Sequence, residues 1–215
     1  MGRWGVRLFE GDRDLDMVGD LEYLFEKEKK IEIDFSGLLN SRSGEEKDNA
    51  AAKIRAQLDA DGTADELFKA LRAKEREREG QYNVIIFGSL MMLAGVSIRQ
   101  DHLQHLRELV PKINCNHRYV LPLWDSGFRG PGRAQFVAAL DHYRPGVARD
   151  FVGAASCFQC GKVKADTGCE PRKCARCELA WYCGKDCQKA HWKLHKPSCV
   201  SMDDRSNGEY ILMNV

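Results

Sequence analysis

The sequence has no apolar run long enough to span a bilayer. Its longest, Val84 to Ile98, is interrupted by Gly88, Ser89, Gly95 and Ser97, and it falls short of the ~20 residues that a membrane helix needs. A buried helix is expected there, and no membrane partner. An apolar signal-peptide core is missing from Met1-Gly2-Arg3-Trp4-Gly5, and Val6 stands where N-myristoylation asks for Ser or Thr. The expectation is an intracellular protein of the nucleus or cytoplasm. An excess of one charge is also lacking: 33 basic residues face 32 acidic ones in 215, so no global field draws the chain to nucleic acid. There is no Gly-x-Ser-x-Gly elbow, phosphate loop or dinucleotide fingerprint. Cysteine is nearly absent from the first 156 residues, where Cys115 stands alone without a base partner at a recognisable spacing. His102, His105, His117 and His142 are scattered and read as surface or packing residues. No catalytic residue and no organic cofactor is expected.

The other eight cysteines fall between 157 and 199. A total of nine, an odd number, without an export signal argues against a disulfide framework, and the spacing argues for metal. Cys157-x2-Cys160 and Cys174-x2-Cys177 each present two thiols on a tight turn, which is half of a tetrahedral site. Cys183-x3-Cys187 and His195-x3-Cys199 place theirs at i and i+4, one helical turn apart. Eight ligands, seven sulfurs and one imidazole, close one site of four cysteines and one of three cysteines and a histidine. Closed four-ligand sets are structural, because a catalytic zinc keeps a position open. Soft thiolates select zinc over magnesium or calcium, and two closed sets that include a histidine suit zinc better than an iron–sulfur cluster. Spacing alone leaves open whether the pairs combine sequentially or interleaved, since both use the same residue types.

The stretch Trp181-Tyr182-Cys183-Gly184-Lys185-Asp186-Cys187-Gln188-Lys189-Ala190-His191-Trp192-Lys193-Leu194-His195-Lys196-Pro197-Ser198-Cys199 resembles the second half of a MYND zinc finger. Cys157, Cys160, Cys174 and Cys177 match the first half. The resemblance covers residues 157–199 and implies a cross-braced finger: Cys157, Cys160, Cys183 and Cys187 on one zinc, and Cys174, Cys177, His195 and Cys199 on the other. In MYND fingers that bind proline-rich peptides, the tryptophan and glutamine matching Trp192 and Gln188 help form the groove. The partner implied is therefore a protein offering a proline-rich segment. A tryptophan face suits such a segment because both are rigid and little entropy is lost on docking; packing in so small a module would use the same side chain. Cys169 lies outside the four pairs and reads as a free loop thiol. His191, one turn before His195, is a chemically possible substitute ligand, but His195-x3-Cys199 fits the motif.

The finger's charge has a ready explanation. Nine Lys or Arg against four Asp or Glu give 157–199 a formal +5, of which seven thiolates and two zinc dications leave about +2. The basic residues read as counter-charge to the sites. Without a basic groove helix, DNA binding is not expected.

The first 150 residues read as a helical domain, followed by the finger and a tail from 200 to 215. Asp12 to Lys29 carries a helical apolar stripe in Leu15, Val18, Leu21, Leu24 and Phe25. Ser43-x-x-Glu46, Thr63-x-x-Glu66 and Ser97-x-x-Gln100 have the form of capping boxes. Tyr82 to Val96 is expected as a central helix apolar on all sides. The charged run Arg72 to Glu79 reads as a solvated helix end, and Pro131 as the start of a last helix. Trp4 to Asp16 resembles the opening of helical domains of unknown function, and fungal chains join such a domain to a C-terminal MYND finger. Asp12, Asp14 and Asp16 make no calcium loop, lacking its glycine and distal glutamate, and read as helix capping. Asn114-Cys115-Asn116-His117 superficially resembles the Asn-His signature of SET methyltransferases, whose folds are β-rich, whereas this region has helical periodicity. The expected fold is mainly α, a helical domain plus a small zinc-stabilised finger. The expected function is a protein-interaction adaptor, and the alternative is an enzyme carrying the finger as an accessory.

Overall fold

The stretch expected as an all-round apolar helix does form one, α5 (Gly80–Ala94), with thirteen of its fifteen residues buried. The computed structural model describes residues 2–41, 43–117, 127–201 and 203–204. Ahead of α5 come α1 (Asp12–Lys29), α2 (Phe35–Asn40), α3 (Gly44–Asp59) and α4 (Thr63–Ala73), and after it α6 (Gln100–Leu109). Phe87 of α5 takes the rings of Phe25, Phe35 and Phe68 edge-on at centroid distances of 5.2, 6.3 and 5.3 Å. One residue thus gathers α1, α2 and α4. Gly88 lets α6 close on α5, since a Cβ there would sit 2.8 Å from Leu106. Gly95, at φ +73°, ends α5 in the left-handed conformation that glycine adopts without cost.

Compactness divides the chain into two units, and the division differs from the expected order of 1–150, 157–199 and 200–215. The helical unit is Asp14–Ile113 with Tyr143–Asp150; the other is Met1–Arg13, Asn114–His142 and Phe151–Val215. Within the second, β1 (Cys115–Asn116) and β2 (Phe128–Arg129) form a two-residue parallel pair that leads into α7 (Gly130–Asp141). The finger follows with α8 (Lys164–Thr167), the antiparallel pair β3 (Arg172–Lys173) and β4 (Trp181–Tyr182), and α9 (Lys185–His195). The fold is mainly α, and no described helix is long and apolar enough to cross a membrane. Most of the tail, residue 202 and residues 205–215, lies outside the described residues.

α7 joins the parts of this second unit. Its Gly132 N–H donates to the Val6 carbonyl at 3.0 Å. Its buried Gln135 accepts the Leu8 N–H and donates to the Phe151 carbonyl at 2.7 Å. Arg7 donates to the carbonyls of Ala154 and Val152 at 2.8 and 3.2 Å. The Trp-Gly opening segment is thereby fixed beside the finger's entry, and Val6 packs on the finger's own apolar cluster.

Local signals were realised unevenly. Ser43 caps α3 in a full capping box with Glu46. Thr63 does not cap α4: it already has helical dihedrals, and Gly62 at φ +74° takes the cap position. Ser97 does not cap α6, whose cap is Arg99; its N–H donates instead to Asp59 at 2.8 Å. Asp12 accepts the Gly2 N–H, but Asp14 turns inward, buried, to accept the Tyr82 hydroxyl at 3.0 Å. The charged run is partly engaged: Lys74 pairs with Glu28, and Glu75 with His105. His102, read as scattered, is a core residue stacked on Phe68, with Nε2 on Asp65 at 2.8 Å and Nδ1 facing Arg72.

Candidate metal centre

Two similar knuckles start the site. The Gly161 N–H returns to the Cys157 carbonyl at 2.7 Å, and the Glu178 N–H to the Cys174 carbonyl at 2.9 Å. Each closing residue is left-handed, Gly161 at φ +72° and Glu178 at φ +55°. The turn aims both thiols of its pair the same way. It also aims N–H groups back at sulfur: those of Cys160 and Gln159 reach Cys157, joined by that of Cys183 from the segment ahead of α9, and those of Cys177 and Arg176 reach Cys174. Burial works against the thiolate at Cys157 and Cys174. The N–H donors, joined at Cys174 by the His195 side chain, outweigh it and lower both thiols.

The other half hangs on α9. Cys187 lies in its first turn and His195 ends it, while Cys183 precedes the Gly184 cap and Cys199 follows the 3-10 turn Lys196–Ser198. The two i, i+4 pairs therefore straddle the helix ends rather than riding one face. Cys187 and His195 are separated by eight residues, about 12 Å of helix, so one rigid element braces both sites.

Two ligand groups result: Cys157, Cys160, Cys183 and Cys187, and Cys174, Cys177, His195 and Cys199. Within each, all ligand atoms lie within 4.8 Å of one another. Cys160 Sγ is 3.6 Å from Cys183 Sγ and 3.9 Å from Cys187 Sγ, and Cys174 Sγ is 3.8 Å from Cys199 Sγ. A tetrahedron with Zn–S near 2.3 Å has edges of about 3.8 Å, and a sulfur–nitrogen edge of about 3.6 Å. Cys177 Sγ to His195 Nε2 is 3.5 Å. Disulfides would need about 2.05 Å, and all nine cysteines are free. The two groups fit two zinc ions, interleaved along the chain.

The thiols also show what a metal must supply. Burial, followed by the neighbouring sulfurs, pushes Cys183 far above its ordinary value. Burial does the same to Cys187 and Cys199, each to about 12, again with the charge of neighbouring thiols. Four sulfurs cannot all ionise together in one pocket, and a dication removes that obstacle.

Around the metals, Phe158, Tyr182 and His191 form a small aromatic core. His191 joins neither ligand group. Its buried ring shares a 2.9 Å hydrogen bond with the Tyr182 hydroxyl and stacks against His195. Burial is the main cause that pushes it down to about 4. Cys169 is exposed and outside both groups. Gln188 is half-buried, and Trp192, one turn on, is 38% exposed with its ring edge-on to His195 at 5.9 Å. Sequence reasoning missed the Tyr182–His191 bond and the approach of Gly161 to α7, where a Cβ would lie 1.9 Å from the Ala134 carbonyl oxygen. The glycine after Cys160 is the one local sign of that approach.

The MYND finger family model matches residues 157–199. Among curated proteins, a histone-lysine N-methyltransferase, ASHR1, of Arabidopsis thaliana is 39% identical over 46 residues, 21% of this chain and 8% of its own. The N-lysine methyltransferase SMYD2 of Gallus gallus is 32% identical over 82 residues, 35% of this chain and 19% of its own. The MYND-type zinc finger protein samB of Aspergillus clavatus is 41% identical over 54 residues, 25% of this chain and 9% of its own. The chain thus spans under a fifth of each of these relatives, and the matches cover the finger region. No solved structure matches it significantly. On ligand geometry and family match together, residues 157–199 are a MYND zinc finger with two zinc sites.

Proposed function

We propose that the chain is an interaction adaptor whose finger receives a proline-rich segment of a partner protein on the Gln188–Trp192 face of α9. MYND fingers are protein-interaction modules, and both ligand groups here are closed sets of four, the form of a structural metal. The observation that carries the reading is Trp192: an indole 38% exposed, backed by a zinc-ligand imidazole, with an amide one turn away. A rigid aromatic plate beside a hydrogen-bonding amide is what a polyproline-type segment can use, because such a segment offers ring faces and bare carbonyls.

The experiment is titration of the full zinc-loaded chain with a synthetic proline-rich peptide. Trp192→Ala is expected to lower affinity by about 2 kcal/mol, roughly 30-fold, with both zinc ions retained. An unchanged affinity together with a lowered melting temperature would make Trp192 a packing strut and remove the groove. The competing reading, a finger accessory to catalysis, draws on the methyltransferase names of relatives. Their likeness covers the finger region and carries no catalytic domain onto residues 1–150.

A further inference from the structure

The exposed side of α9 is strongly basic. At about 100° per residue, Lys185, Lys189, Lys193 and the immediately following Lys196 share an arc of roughly 140° with Gln188 and Trp192. Cys187, His191 and His195 occupy an arc of about 80° that borders Gln188 and is centred roughly 160° from the lysines. All four lysines are exposed, and Lys196 continues the helical backbone at φ −49°, ψ −44°. Among the described residues no carboxylate pairs with any of them, whereas Lys164 is engaged by Glu170 at 3.6 Å. Asp186 is the helix's one acidic residue, in its first turn.

These lysines are poorly placed as counter-charge for the metal sites, which was the expectation from composition. They leave the helix on the side away from the ligands. A helix with side chains is about 10 Å thick, comparable to the Debye length of about 10 Å at 0.1 M salt. The ammonium groups are solvated on that far side, so their attraction to the thiolates is weak, and their charge faces whatever docks on Trp192. Lys185, Lys189 and Lys193 also repeat every ~6 Å along the axis, close to the ~6.6 Å between alternate residues of an extended chain.

We propose that the α9 face selects an acidic partner: a proline-containing extended segment flanked by aspartate or glutamate, its prolines on Trp192 and its carboxylates along the lysine row. This rests on the reading of Trp192 and Gln188 as the docking face and adds the charge of the ligand. A protein segment is favoured over a nucleic-acid strand because the row is a single line of ammonium groups. It holds no arginine and one aromatic plate, where single-strand binding uses successive stacking platforms.

The test uses the full zinc-loaded chain and three labelled probes followed by fluorescence anisotropy. They are a proline-rich peptide with aspartates on both flanks, the same peptide with asparagines instead, and an oligothymidylate. The aspartate peptide is expected to bind about tenfold tighter than the asparagine peptide at low salt, and that advantage to vanish near 0.5 M salt. The double variant Lys189→Gln, Lys193→Gln should reduce the aspartate peptide's affinity toward that of the asparagine peptide, with zinc content unchanged. Equal binding of the two peptides overturns the acidic selection and leaves the proline-docking reading standing. Binding of neither peptide overturns both. Tighter binding of the oligothymidylate than of the aspartate peptide overturns the proposal in favour of a nucleic-acid surface.

Discussion

Gly161 and Gly168 offer a matched pair for asking whether the finger is built onto α7. Both are left-handed, at φ +72° and φ +75°, so an alanine at either is strained by about 1 kcal/mol. Their surroundings differ. A Cβ at Gly168 meets nothing within 4 Å, whereas one at Gly161 would lie 1.9 Å from the Ala134 oxygen, 2.1 Å from its carbonyl carbon and 2.4 Å from the Gln135 nitrogen. All three are backbone atoms in the middle of a helix, so no rotamer change relieves them. Either the first zinc knuckle or α7 must move by more than an ångström, and overpacking of this kind costs about 1–3 kcal/mol. Gly161→Ala should therefore destabilise the zinc-loaded chain by about 2–4 kcal/mol and Gly168→Ala by about 1 kcal/mol. Urea titration followed by tryptophan fluorescence, with zinc content checked at each point, reads the difference. Equal destabilisation by the two substitutions would refute the close approach.

Two other perturbations have defined outcomes. Removal of zinc by a strong chelator should unfold the finger and leave most of the far-ultraviolet helical signal, because α1 to α6 contribute no member of either ligand group; complete loss of that signal would show one cooperative core. Asp65 is held down to about 2, first by its hydrogen bond from Lys69 and then by His102. Its folded value lies below the ordinary 3.8, so its stabilisation is complete above about pH 4 and is lost as pH falls through 2. Asp65→Asn should flatten that part of an acid-unfolding curve, and a variant with an unchanged acid limb would contradict the assignment.

What was legible in the sequence is what depends on near neighbours. The stripe from Leu15 to Phe25 marked α1 at its observed bounds, Asp12–Lys29, and the cysteine spacing marked all eight residues of the two groups. Their interleaving was given by the MYND resemblance, since either pairing uses the same ligand types. Thr63 and Ser97 failed as caps because the chain around them was set from further away: by the left-handed Gly62 in one case, and in the other by the Asp59 carboxylate 38 residues back. Asp14 was read as a polar cap because its partner, Tyr82, is 68 residues distant. Periodicity identified α7 as a helix but not its neighbours. The N–H of Gly132 and the amide of Gln135 tie it to the opening segment, and the carbonyl of Ala134 closely approaches Gly161 of the finger; those contacts have no local signature. The lysine row on α9 was visible as composition. Its direction became readable only once the ligands fixed which side of the helix faces inward.

Native mass spectrometry of the full chain tests the central claim most directly, because every other property of the finger depends on two closed metal sites. The two interleaved groups, one of four cysteines and one of three cysteines and a histidine, predict a mass increase of two zinc ions per chain, lost together with the finger's fold on acidification as the thiolates protonate. A single zinc, or the mass of an iron–sulfur cluster, would contradict the ligand assignment and the docking face built on it.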